Sequence, residues 1–334
     1  MIRNSHLLSL LAVLTASCLL TACNSSSDTP PQRSLSYSAV GRPLNTDFTV
    51  NNLFVAVDSV YLTHGDSEDG NLGYAKIPAN AGADHAYHLT YLTLPASTQY
   101  TVIGDMVIDE LKAQVYLPVA SLNGGFYNYA WLQYESGATA PNALPVGSYK
   151  VTAGLANQFA LESATVFNGS IYANYAGTVV GFNTSTGQVG LQKENFLVSS
   201  QDAIWIQDKN TVIAINSDGN SIVRKNPETN EQIQIGESFS TLHDQGFEVS
   251  PHFTVHEGLV SVLAIQRSET TGHSHLALCR VGYQSGANKW ACDVSLEKLP
   301  HGSQILNLDT DVKTGSIYFV LQSLAHGSQL YKIN

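Results

Sequence analysis

The chain has 334 residues, of which 43% are apolar, and its 16 basic and 27 acidic side chains give a formal net charge of −11. An acidic surface repels phosphates, which sets nucleic acid aside as a partner and argues against a basic patch for anionic lipid. The apolar fraction is ample for a core, and the length holds one large all-β domain or two smaller ones.

The chain opens with Arg3 and an apolar run from Leu7 to Leu20, the length of a signal-peptide core and short for a bilayer span. Leu20-Thr21-Ala22-Cys23 follows. These residues resemble a bacterial lipobox. The resemblance implies a signal peptide over 1–22, a diacylglycerol on the Cys23 thiol, cleavage before Cys23 and acylation of the new amine. Two or three acyl chains anchor a protein stably where one does not. Cys18 is the competing position, but Thr15 stands where the motif has Leu. Asn24 after the anchor, in place of Asp, leans toward the outer membrane. Loss of Arg3 with the signal would leave 15 basic against 27 acidic groups, a net charge of −12. Residues 23–34 then form the lipidated cysteine and a small, polar, proline-containing tether.

The body, 35–334, carries almost no sustained helical periodicity. Short runs rich in Val, Ile, Tyr and Thr alternate with Gly, Asn, Asp and Ser, which predicts an all-β chain. "NGSIYANYAGTVVGFN" from Asn168 and "TGSIYFVLQSLAHGSQLYKIN" from Thr314 repeat one pattern, 146 residues apart. That is three periods of about 49, close to the blade length of β-propellers. Units fall at roughly 44–97, 98–152, 153–197, 198–247, 248–303 and 304–334. The last is short by a strand. An open ring leaves strand edges exposed, and "RSLSYSAVG" at 33–41 is a strand that can close it. A single six-bladed propeller is expected, with seven blades as the competitor. In "GGFYNYAWLQYESG" both parities are bulky, as in a strand covered on both faces. Core is the preferred reading of that aromatic cluster, and a ligand-stacking site is the other.

"GFNTSTGQVGLQKENF" (181–196) and "YQSGANKWACDVSL" (283–296) are similar to blade ends of pyrroloquinoline-quinone-like propellers, through Thr186-Gly187 and Trp290. The resemblance covers about a third of the chain and implies a propeller. A quinone dehydrogenase of that kind usually needs eight blades and a calcium-bound cofactor. The chain is too short for eight of its own period, so no cofactor is expected.

Cys279 and Cys292 flank the turn in "YQSGAN", which sets them opposite one another; a structural disulfide is predicted. His273 and His275 share a strand parity with Cys279 and make a copper or zinc site conceivable, but the segment is turn-rich and exposed loop histidines are preferred, with no metal expected. "HGDSEDGN" places Asp66, Glu68 or Asp69, and Asn71 like a calcium loop, but its glycine and terminal acid are misplaced, and a solvated hairpin turn is the better reading. No Gly-X-Ser-X-Gly nucleophile elbow occurs, and "HGSQ" at 301 and 326 reads as turns. No catalytic residue is assigned. The expected function is a non-enzymatic scaffold or adaptor in the cell envelope, joined to the membrane through its lipid and to a protein partner. By fold and address it resembles the propeller lipoprotein of the outer-membrane barrel-assembly machine. The alternatives are a ligand-binding or enzymatic propeller using an axial pocket, and an immunity lipoprotein against a secreted antibacterial toxin.

Overall fold

The computed structural model describes residues 34–334 except 46–47, 66–71, 97–98, 143–144, 153–160, 176, 195, 197–202, 207–210, 217, 269–270, 284–288 and 325–326. Ser34–Asn334 forms one compact unit. Its strands build six small antiparallel sheets, the blades of a β-propeller.

After β1 (Tyr37–Ala39), blade 1 holds β2 (Asn52–Ala56), β3 (Ser59–His64), β4 (Gly73–Pro78) and β5 (His88–Tyr91). Blade 2 holds β6 (Thr101–Val102), β7 (Val107–Ile108), β8 (Val115–Asn123), β9 (Phe126–Tyr134) and β10 (Val146–Thr152), with β6 and β7 sharing the edge of β8. Blade 3 is β11 (Leu161–Phe167), β12 (Ser170–Tyr175), β13 (Thr178–Asn183) and β14 (Val189–Lys193). Blade 4 is β15 (Ala203–Ile206), β16 (Thr211–Ile215), β17 (Ile222–Lys225) and β18 (Gln232–Ile235). A six-residue helix, α1 (Phe239–Asp244), leads to blade 5: β19 (Phe247–His256), β20 (Leu259–Arg267), β21 (Ser274–Gly282) and β22 (Ala291–Lys298). Blade 6 is β23 (Gln304–Thr310), β24 (Ile317–Ser323) and β25 (Gly327–Ile333), completed by β1. The predicted unit limits match these blades.

First strands meet around the centre: β2 packs on β7 and β23, β11 on β7 and β15, and β19 on β23. The core is distributed between blades. In β9, Tyr129 and Trp131 enter the cluster shared with blade 3, while Ala130, Leu132 and Tyr134 enter the one shared with blade 1. That is why both parities of this strand are bulky. The two "GSIY" segments occupy equivalent places, each being a turn after a first strand followed by the start of β12 or β24.

The ring closes through β1, which pairs antiparallel with β25 in the register Tyr37↔Ile333, Ser38↔Lys332, Ala39↔Tyr331. Val40 N–H donates to Leu330 O at 2.9 Å and Leu44 N–H to Ser328 O at 2.9 Å. The buried Gln329 amide donates to the carbonyls of Val40 (3.2 Å) and Gly41 (3.1 Å). Leu35 and Val40 are buried, and the Tyr37 ring meets Phe319 and Tyr331 edge-on. Gly41 has φ +70°, and a Cβ there would stand 2.4 Å from Ile77 Cδ1, so only glycine lets the chain turn here against blade 1.

Candidate functional site

Cys23 lies outside the described residues, as do residues 66–71 of the calcium-like loop and the 284–288 turn between the cysteines. Cys279 and Cys292 are register partners on β21 and β22 and form the predicted disulfide, with Cα atoms 4.0 Å apart and S–S 2.03 Å. The Cys279 side of the bond faces the core between blades 4 and 5. His273 is exposed just before β21. His275 is on the strand with its Nδ1 3.0 Å from Ser295 O and 3.1 Å from Glu297 O, so that ring nitrogen is the donor, turned toward the backbone of β22. Among the described residues no three His, Cys, Asp or Glu side chains form a metal-ligand group.

Most of the aromatic cluster is core: Tyr129, Trp131 and Tyr134 are buried, and Tyr129 stacks on Tyr175 of blade 3 at 5.2 Å. Its N-terminal end is not. Leu122 and Phe126 are exposed beside the Gly124-Gly125 turn of the β8–β9 hairpin.

Thr186-Gly187, read as a blade-end turn, ends a five-residue loop that recurs. In Asn183–Gly187, Asn226–Asn230, Ser268–Gly272 and Asp311–Gly315 the fifth N–H donates to the first carbonyl at 2.8–2.9 Å. The fourth residue is always threonine, whose hydroxyl accepts the N–H two residues on. The fifth has positive φ. This pattern, an oxygen-bearing residue three before a threonine and four before Gly or Asn, was available in the sequence. Trp290 precedes β22, donates its indole N–H to Glu237 O at 2.9 Å and packs on Phe239 of α1.

A polar cluster lies where blades 6, 1 and 2 meet at the ends of their first strands. Asp309, on β23, accepts from Val55 N–H at 2.7 Å through Oδ2 and from Thr310 N–H at 2.7 Å through Oδ1. Burial pushes its pKa up to about 7, against those two hydrogen bonds and with repulsion from Asp311 adding to it. Glu110 is raised well above the usual carboxylate range, first by burial and then by Asp309, Asp109 and Asp311. Asp311, although burial pushes it upward, is held low by hydrogen bonds from the Thr314 hydroxyl and the Lys313 and Thr314 N–H groups, and by the Lys313 charge. Asp109 Oδ1 accepts from Leu111 and Lys112 N–H. Two carboxyl groups that resist ionisation beside two that are hydrogen-bonded make a place where a cation is favoured and a further anion is not. Composition does not reveal this cluster. The only sequence signal is a carboxylate next to the turn after the first strand of a blade, as in "IDE" and "DTD".

No protein-family model matches the chain, and no curated protein matches it. Solved structures do. A protein of unknown function from Bacteroides thetaiotaomicron is 13% identical with a TM-score of 0.51, over 90% of this chain and 76% of that one. A chain of a mitotic checkpoint complex is 10% identical with a TM-score of 0.47, over 92% of this chain and 95% of that one. A GH74 enzyme from Niastella koreensis is 13% identical with a TM-score of 0.41, over 84% of this chain and 44% of that one. The fold and the first of these likenesses define a class: a six-bladed, all-β propeller.

Proposed function

We propose that the protein is a lipid-anchored scaffold of the bacterial cell envelope that binds another protein through the ends of its blades. The observation that carries this is the position of β1. The chain enters the last blade at Tyr37, only 37 − 23 = 14 residues after Cys23 of the lipobox. A tether of that length reaches at most about 50 Å fully extended, so an acylated Cys23 would confine the propeller near the membrane and raise its effective concentration there. Exposed apolar side chains at blade ends, such as Leu111, Leu122 and Phe126, suit a binding body. Thr186-Gly187 and Trp290 still suggest kinship with the pyrroloquinoline-quinone-like propellers, with the outer membrane as the address and no cofactor.

Replacing Cys23 with Ser tests the anchor. The variant should leave the membrane fraction for the soluble periplasmic fraction or remain unprocessed. Variant protein that is cleaved and still partitions into detergent would contradict lipidation.

A further inference from the structure

The turns that follow the first strands of blades 5, 6, 1 and 2 lie at one end of the ring and are joined into a continuous surface. Val57 N–H donates to Glu110 O at 3.2 Å, linking blades 1 and 2. Lys313 Nζ is 3.6 Å from Asp58 Oδ1, linking blades 6 and 1. The His256 ring lies against Gly315, 2.9 Å from where a Cβ would stand, linking blades 5 and 6. Each of the four blades raises an apolar side chain into water here: Leu111 is 70% exposed, Leu259 44%, Val57 43% and Val312 42%.

Val57 is there at a conformational cost. The two-residue β2–β3 turn needs left-handed backbone at both positions, and Val57 and Asp58 have φ of +45° and +59°. The equivalent turn of blade 3 uses Asn168-Gly169, the pair that suits it. A β-branched residue in this conformation is strained, and such strain persists where something other than stability retains it. An exposed valine gains little burial in return.

Around the apolar residues stand Asp58, Asp109, Glu110, Glu257, Asp309 and Asp311, against Lys112, Lys313 and His256. The formal balance with histidine neutral is −6 + 2 = −4, and −4 + 2 = −2 while the buried Asp309 and Glu110 hold their protons. We propose that this face, across blades 5, 6, 1 and 2, docks a segment of another protein in which Lys or Arg side chains alternate with apolar ones. This rests on the scaffold reading and assigns it a surface and a partner chemistry. An anionic membrane is disfavoured by the same charge. A cationic segment settles the apolar side chains on the four exposed residues and brings positive charge to carboxyl groups that burial keeps from ionising.

The test uses a fluorescent peptide of alternating lysine and leucine, titrated against the protein, with glutamate replacing lysine in a second peptide. The lysine peptide should bind and the glutamate peptide should not. Leu111→Ser and Val57→Asn should each weaken binding roughly fivefold or more, while Ile233→Ser, as exposed as Val57 but on the outer strand of blade 4, leaves it unchanged. Val57→Asn should at the same time raise the melting temperature, because asparagine tolerates the turn. A lost affinity with a gained stability cannot come from misfolding. Failure of the lysine peptide to bind, undiminished binding by Val57→Asn, an equal loss in Ile233→Ser, or binding of phosphatidylglycerol vesicles instead of the peptide would each overturn the proposal. A photocrosslinking residue placed in living cells at 111 or 122 separates this inference from the broader one. Protein crosslinks at 122 with none at 111 would refute this face and leave the scaffold standing, and none at either would refute both.

Discussion

Blades 5 and 6 are neighbours that hold their outermost strands by different means. In blade 5 the outer strand β22 follows β21 directly and is bonded to it by Cys279–Cys292, a link between residues 13 apart. In blade 6 the outer strand is β1, and it meets β25 across nearly the whole chain, as in the Ser38 hydroxyl to Asn334 Oδ1 hydrogen bond with its separation of 296 residues. Nothing covalent secures it. The disulfide thus constrains a hairpin whose closure is already easy, while the long loop, whose closure entropy is larger, depends on hydrogen bonds and on burying Leu35 and Val40. Leu35 also bridges to Ser295 of β22, so the closing segment touches both blades.

The comparison is broken most strongly by removing β1. A chain beginning at residue 44 should lose on the order of 5 kcal/mol from two buried aliphatic side chains and several hydrogen bonds. It should melt roughly 10 °C lower or more and aggregate through the bared edge of β25. A chain beginning at residue 33 should melt like the full-length protein. Equal melting of the two by calorimetry would show that the segment adds nothing.

A smaller effect is expected in blade 5. Replacing Cys279 and Cys292 with Ala should cost about 2–4 kcal/mol in denaturant titrations, less than loss of β1, with the six-bladed fold retained. Thiol labelling of the native protein without reductant should find neither cysteine reactive. If the disulfide proves worth more than β1, the contrast is reversed.

A third effect concerns pH. The folded-state pKa of Asp309, about 7, lies above its ordinary value of 3.8, so the folded protein binds more protons than the unfolded one between those limits. Its contribution is therefore fully present below the lower value and is lost as pH rises toward 7. Glu110 acts in the same direction. Asp309→Asn should flatten this part of the stability–pH curve. An unaltered slope in the variant would mean that Asp309 ionises normally in the fold.

The ring was legible in the sequence because blades repeat a turn-and-strand pattern with both faces covered. "GSIY" at 169–172 and 315–318 marks equivalent positions three blades apart, and the missing last strand pointed to 33–41. Other repetitions mislead. The loops starting at Asn183, Asn226, Ser268 and Asp311 are 43, 42 and 43 residues apart, yet they lie after the third strand in blades 3 and 4, after the second in blade 5 and after the first in blade 6. They are one hairpin solution used wherever it fits, not a blade period. The carboxyl groups of Asp309 and Glu110 were not legible, since 199 residues separate them in sequence and ring closure brings them together. The strained Val57 was hidden for another reason: "LFVAVDSVYLT" reads as one continuous strand, and only a partner strand shows that Val57-Asp58 turns it back. α1 was missed because six residues hold too few turns for a periodic signal.

Closure of the ring by the strand beside the tether is tested most directly by a paired cysteine substitution. Ser38 and Lys332 are register partners on β1 and β25. Ser38→Cys with Lys332→Cys should cross-link under mild oxidation in the folded protein and raise its melting temperature. Ser38→Cys with Gln234→Cys, on the outer strand of blade 4, should not. Failure of the first pair to cross-link, or equal cross-linking of the second, would contradict closure by β1.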